Sequence, residues 1–174
     1  MLPKIPALAL SVRQPWAWAI LHGGKKIENR SLGSIRAGRM VPGWIALHAA
    51  IGMKEAEYRW GVWRLQKHGV RCPRPAHLIR GAIIGVVEVT EIITQSESPW
   101  FGGEAGLVLA QPRAVEPIPA KGALGYFRWQ GGGALAEPAA WMRKYAPSDS
   151  TADMFPDADL AFRTPPPKPW RGNG

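Results

Sequence analysis

Residues 7–30 read ALALSVRQPWAWAILHGGKKIENR, and this run predicts three consecutive elements. The apolar residues 7–12 have the length and composition of a buried strand. Pro15 suits the start of a helix, because its ring fixes φ where no backbone donor is needed, so residues 16–21 are predicted to be helical. Gly23 and Gly24 end that helix, since glycine readily adopts the left-handed C-cap conformation. Residues 25–30 then predict a second strand beside both ends of the helix.

The second strand is predicted to carry a charged face. Side chains alternate along a strand, so one face holds Lys26, Glu28 and Arg30 and the other holds Lys25, Ile27 and Asn29. Successive members of one face are about 7 Å apart. On an isolated exposed strand such a row adds little stability. Beside Trp16, however, it combines fixed charges with an aromatic plane, which is what a nucleotide base and its phosphate require.

Length, composition and charge narrow the class of protein. The 174 residues are 46% apolar and 20% charged, which suits one domain with its own core and an additional segment. Residues 1–80 carry 14 Lys and Arg and three acids, a net of +11, whereas residues 81–174 have a net of −2. This asymmetry favours a polyanionic partner, because each neutralised phosphate releases counterions.

The rest of the chain predicts an α+β domain rich in turns. Residues 44–50, 82–91 and 106–110 have strand patterns, and residues 114–118 suit an edge strand because they contain a proline. Residues 54–68 predict an amphipathic helix with Ala56, Trp60 and Trp63 facing the core, and residues 135–145 a last helix. We expect the domain to occupy residues 1–146 and a proline-rich C-terminal tail to follow over residues 147–174. That tail is either passive or a ligand for a proline-reading protein.

Several classes of protein are not expected from this sequence. Cys72 is the only cysteine, which excludes an intramolecular disulfide and suits a reducing compartment. No apolar run is long enough to span a bilayer, so we expect no membrane association and a cytoplasmic location. The chain has no phosphate loop and no common zinc motif, and its four histidines are scattered, so we expect neither a metal nor a cofactor.

The motifs together resemble one family. The relevant segments are residues 10–21, the Gly-Lys-x-x-Glu-x-Arg element at 24–30, and residues 46–49, 81–89, 98–101, 106–109 and 122–125. Over residues 7–130 this chain resembles the ASCH domain family of the PUA-like superfamily. The resemblance implies a small β-barrel of about six strands with helices packed at its rim, and a cleft between the first helix and the 24–30 strand.

The resemblance also implies a connection with RNA. Some members of the family bind nucleic acid, one branch hydrolyses acylated cytidine nucleosides, and a bacterial relative acts as a ribonuclease. In the amidohydrolase branch a lysine, a threonine and a later glutamate act together. Lys25 and Glu88 match the first and last of these, but Glu28 stands where that branch has threonine, which departs from its chemistry.

Three functional hypotheses follow. The preferred one is binding of RNA or a nucleotide-like ligand by Arg13, Gln14, Trp16, Lys25, Lys26, Glu28 and Arg30. The alternative is a metal-independent hydrolase of acylated cytidines or RNA, with Lys25 and Glu88 in catalytic roles and His48 as a candidate base. A third is an interaction module in which the tail and surface tryptophans such as Trp100 and Trp170 dock a protein partner.

Overall fold

The structure is a computed structural model that describes residues 4–145. It contains six strands and four α-helices, which confirms the α+β class. The elements in chain order are β1 (Leu8–Val12), α1 (Trp16–His22), β2 (Ile27–Arg30), α2 (Leu32–Ala37), β3 (Gly43–Ala49), α3 (Glu55–Lys67), a short 3₁₀ helix (Pro75–His77), β4 (Ala82–Ile93), β5 (Ala105–Pro119), β6 (Tyr126–Arg128) and α4 (Ala140–Lys144).

The strands form one mixed sheet that curls into a half-barrel. Their order is β2-β5-β4-β3-β1-β6, in which β1 and β3 are parallel and the other neighbours antiparallel. The closed barrel that the resemblance implies is not formed by the described residues, because the edge strands β2 and β6 are short and do not pair. The segment that follows β2 lies against β6 instead, where the Tyr126 amide donates to the Gly38 carbonyl at 3.0 Å.

The sheet has two apolar faces, because neighbouring residues in a strand point to opposite sides. We call the side packed against α1 the inner face; its side chains include Leu10, Leu47, Val87 and Leu107. The outer face carries a smaller cluster of Ala9, Ala46, Ile83 and Ala120.

Helix α3 has the predicted extent, but the prediction of its buried side is wrong. The buried residues are Tyr58, Gly61 and Leu65, whereas Ala56 is exposed and Trp60 and Trp63 are half-buried. The reason is a close helix contact: a Cβ at position 61 would lie 2.3 Å from Cγ of Pro15. The side of α3 that carries the small residue Gly61 therefore faces the start of α1, and Trp60 and Trp63 lie on the opposite side of the helix.

The other predictions hold to different degrees. The strands and helices expected between residues 7 and 91 are present with small shifts of their ends. Residues 106–110 and 114–118 belong to a single strand, β5. The second half of β5 pairs only with β4, so the proline, which has no amide hydrogen, does not interrupt hydrogen bonds to a second neighbouring strand. The last helix is shorter than expected. The tail at 147–174, with Trp170, lies outside the described residues, so what the sequence indicates about it stays a prediction.

Candidate functional site

A buried ion network forms where the 24–30 segment meets the inner face of the sheet. The Lys25 ammonium lies 2.7 Å from Oε2 of Glu28, and a guanidinium nitrogen of Arg30 lies 3.2 Å from Oε1. Lys25 and Glu28 are only 6% and 9% exposed. Lys25 Nζ also donates to the carbonyl of Ile27. One carboxylate thus joins two cations in a site largely removed from water.

The local backbone explains which lysine enters this network. Gly24 has a φ of +70°, a left-handed conformation that glycine adopts without strain. The chain turns there, before β2 begins at Ile27, so strand alternation does not extend back to the lysines. Lys25 is consequently buried against Glu28, whereas Lys26 is exposed. The predicted pairing of Glu28 with Arg30 on one face is confirmed, but Lys25 rather than Lys26 completes the row.

The network spans the open side of the half-barrel. Strand β6 pairs with β1 only over Leu8–Leu10, which leaves the carbonyl of Ser11 without a strand partner on that side. Nη2 of Arg30, from the opposite edge strand β2, donates to this carbonyl at 2.8 Å. Arg30 therefore bridges the two edges of the sheet, and its Nε is a buried donor with no partner among the described residues.

Burial and charge have opposite effects on the two ends of the Lys25–Glu28 pair. Burial alone would raise the pKa of Glu28, but the cations of Lys25 and Arg30 outweigh it and hold that pKa below its ordinary value. Burial lowers the pKa of Lys25, and the Glu28 carboxylate only partly offsets this. The neighbouring cations therefore favour the ionised form of Glu28, whereas burial works against the charged form of Lys25.

Trp16 and Arg64 of helix α3 lie near the network. The Trp16 ring is half-buried, with its centroid 5.9 Å from the Lys25 ammonium. Arg64 of α3 reaches the carbonyl of Pro99 at 3.4 Å. The loop containing Pro99 is fixed to β2, because the Asn29 amide donates to the Trp100 carbonyl at 2.8 Å. The Trp16 ring and the Arg64 side chain are therefore both near the ion network. Trp100 itself is 9% exposed, which removes it from the proposed protein-docking surface.

Two of the predicted phosphate-contacting residues are accessible to solvent. Arg13 is exposed and makes a bidentate pair with Glu57, with distances of 2.7 and 2.6 Å. Lys26 is exposed, and no ion pair involves it within residues 4–145. These side chains can meet an anion without removal of a buried partner.

Gln14 does not have the role predicted for it. It is 2% exposed, its Oε1 accepts from the Trp18 amide at 2.9 Å, and its Nε2 donates to the Ile79 carbonyl at 2.8 Å. The side chain satisfies an amide in the first turn of α1, a group that has no partner within the helix. Gln14 therefore holds α1 in place and does not offer a polar edge to a ligand.

The two other candidate catalytic residues lie away from Lys25. Glu88 is opposite Trp44 in the β3–β4 ladder, between the inner-face residues Val87 and Val89, so it projects from the outer face. Glu28 pairs with Leu107 and thus lies on the inner face. The structure does not bring Glu88 and Lys25 together.

His48 is enclosed on the outer side. Its Nε2 donates to the Ala120 carbonyl at 2.8 Å, so in the neutral ring Nδ1 accepts from the Ser11 hydroxyl at 2.7 Å. It is 1% exposed, and burial lowers its pKa despite the hydrogen bond to Ala120. Both ring nitrogens are occupied, as in a structural histidine.

No model of a known protein family matches the chain, and no curated protein matches it either. Within residues 4–145, no helix is long and apolar enough to cross a bilayer. In the same part of the chain, no cluster of three or more His, Cys, Asp or Glu side chains has the arrangement of a metal site.

Helix α3 contributes residues that the sequence analysis missed. Arg64 borders the site, and the half-buried Trp60 and Trp63 lie on the same side of the helix. Their spacing with Lys67 is i, i+3, i+4 and i+7, which marks one helical face. The mixture of indoles and cations on that face was the available signal, and it was overlooked because tryptophan at helical spacing was assigned to the core.

Proposed function

We propose that this chain is an ASCH-type domain of the PUA-like superfamily that binds RNA or a nucleotide-like ligand beside α1. The observation that carries the proposal is the position of Trp16, whose half-buried ring lies beside the buried ion network. Two accessible cations, Arg13 and Lys26, lie before and after helix α1 in the chain. A base stacks on an aromatic ring while cations contact its phosphate.

The residues divide into two kinds. Lys25 and Glu28 are buried and paired, so they hold the 24–30 segment in place near Trp16. Lys26 is exposed and contacts phosphate, and the exposed Arg13 does so beside its ion pair with Glu57. Arg30 does both, because it bridges the sheet edges while its side chain remains 22% exposed.

The charge distribution supports a polyanionic ligand. The net charge of +11 lies in residues 1–80, which include Trp16, the ion network and helix α3. Salt must therefore weaken binding, because added salt opposes the release of counterions from the nucleic acid.

The test is fluorescence anisotropy with a labelled single-stranded RNA at several salt concentrations. The association constant should fall steeply as salt rises, and Lys26→Gln should reduce the slope of the logarithmic plot by about 0.7. Lys144→Gln removes an equally exposed charge on α4 and serves as the matched control, with no change expected. An association constant independent of salt would overturn the proposal.

A hydrolase is the second candidate, and one observation favours it: burial lowers the pKa of Lys25, the direction that a lysine base or nucleophile needs. Its predicted partner Glu88 lies on the other face of the sheet. Incubation with acylated cytidines and labelled RNA tests this candidate. Turnover that is lost in Lys25→Met but retained in Glu88→Gln supports a Lys25 mechanism without Glu88; equal turnover by folded Lys25→Met refutes it.

A further inference from the structure

Helix α3 has a second face, distinct from the one it buries. Trp60, Trp63, Arg64 and Lys67 lie along it, and we call these four residues the α3 stripe. The first three are half-buried and Lys67 is exposed, whereas the opposite face of Tyr58, Gly61 and Leu65 is buried against the domain. Two indoles on an accessible helix face are unusual, because tryptophan normally contributes its large apolar area to a core or to a binding surface.

The side chains of the α3 stripe hold one another in place. The two indole rings stack with centroids 4.9 Å apart and an angle of 25° between their planes. The Arg64 guanidinium lies 6.0 Å from the Trp60 ring, and the Lys67 ammonium 4.5 Å from the Trp63 ring. Neither cation has a carboxylate partner within residues 4–145. Cations ordered by indole faces lose less conformational freedom when they bind an anion.

Arg64 connects the stripe with the region beside Trp16. Gly61, on the opposite face of α3, packs against Pro15, so the helix itself lies beside the start of α1. Arg64 reaches the Pro99 carbonyl in the loop that packs on β2. Besides burial, the charges of Arg30 and Arg64 contribute to lowering the pKa of Lys25, which places Arg64 within electrostatic reach of the network.

The chemistry of the stripe selects its ligand. An apolar protein surface would have to bury two cations without a counter-charge, which is costly. A nucleic acid instead supplies phosphates for Arg64 and Lys67 and flat bases that can stack on the indole rings. Double-stranded nucleic acid keeps its bases stacked on each other, whereas an unpaired strand can present them to aromatic side chains.

We propose that the α3 stripe extends the cleft as a second contact surface, on which an unpaired nucleic-acid strand bound at Trp16 continues along Trp60, Trp63, Arg64 and Lys67. This inference rests on the proposed function, since the strand must first be held in the cleft. It adds the class of ligand: a single strand several nucleotides long.

The test compares oligonucleotide lengths by fluorescence anisotropy. The probes are fluorescein-labelled oligouridylates of about 4 and about 16 nucleotides, which bracket the site sizes of single-strand binding folds. Trp60→Leu should weaken binding of the long probe about 5- to 150-fold, the range expected for loss of base stacking, and leave the short probe unchanged. Lys67→Gln, at an exposed position where the fold is not at risk, should weaken the long probe in the same direction. Lys144→Gln, at an exposed position on α4, is the matched control and should have no effect.

The outcomes separate the two proposals. If wild-type protein binds neither probe in a salt-dependent way, the proposed function fails and this inference fails with it. If wild type binds both probes but Trp60→Leu and Lys67→Gln bind the long one normally, only the inference is overturned. A blunt-ended duplex RNA that binds as tightly as the long single strand and loses as much in Trp60→Leu would also overturn it, because all its bases are paired.

Discussion

Replacing Glu28 by glutamine tests the buried network most directly. The substitution keeps the shape of the side chain and removes the carboxylate that joins Lys25 and Arg30. Breaking a buried ion pair by removing one partner typically costs about 3–5 kcal/mol, because a charge is left uncompensated. The Lys25 contact dominates this cost, since its side chain is 5% exposed and that of Arg30 is 22% exposed.

This loss of unfolding free energy is large for a domain of this size. Small domains are stable by about 5–15 kcal/mol, so Glu28→Gln should remove a substantial fraction. In a chain of about 150–250 residues each kcal/mol corresponds to about 2–4 °C, so the melting temperature should fall by about 6–20 °C. Urea unfolding followed by circular dichroism measures the free energy, and thermal unfolding checks it.

Glu88→Gln provides the matched control. Glu88 is half-buried on the outer face and accepts a hydrogen bond from Gln111 Nε2 at 3.1 Å, without a cationic partner among the described residues. The same chemical change there should alter stability by only about 0.5 kcal/mol.

The stability difference between wild type and Glu28→Gln should also depend on pH in a defined direction. The folded pKa of Glu28 lies below its ordinary value of 4.5, so its contribution is complete above that pH and is lost as pH falls through the folded pKa. The difference between wild type and Glu28→Gln should therefore shrink in acid. A difference below about 1 kcal/mol at neutral pH, the median worth of an exposed pair, or one that grows in acid, would refute the buried network.

Three further predictions concern the surrounding structure. Gly61→Ala should destabilise the protein by about 1–3 kcal/mol, because the new methyl group collides with the rigid ring of Pro15, whereas Gly33→Ala, with open space around it, should be neutral or stabilising; urea midpoints distinguish the two. Gln14→Ala should cost about 1–3 kcal/mol by leaving two backbone groups unsatisfied, yet a folded variant should bind RNA like wild type; a selective loss of binding would restore Gln14 to the ligand site. The folded pKa of His48 lies below 6.5, so wild type should lose stability as pH falls below 6.5, by no more than about 1.4 kcal/mol per pH unit from this group. The free energy of unfolding of His48→Gln should depend less on pH across that range. Identical pH profiles for the two proteins would contradict this prediction.

The position of Lys25 could not be predicted from the sequence. Alternation predicted correctly that Glu28 and Arg30 share a face, because both lie within β2. It assigned Lys26 to that face as well, since nothing in the sequence marks where the strand begins. The left-handed turn at Gly24 decides that point and turns Lys25 inwards.

Helix α3 shows the same limit for burial. Its extent followed from periodicity and from Gly69, which takes a φ of +70° just beyond the helix. Which face is buried depended on the contact between Gly61 and Pro15, residues far apart in the chain. Hydrophobicity alone favoured Trp60 and Trp63, so the prediction failed at the residues that now form the α3 stripe.

The sequence by itself determined the α+β class, the order of most strands and helices, and the segment that carries the ion network, because these depend on local propensity and on the spacing of apolar and charged residues. Only the tertiary structure decided that the sheet stays open, that Arg30 bridges its edges, and that Glu88 and His48 lie away from Lys25. Those outcomes depend on strand pairing and contacts between distant residues, and no local pattern specifies which partners the folded chain brings together.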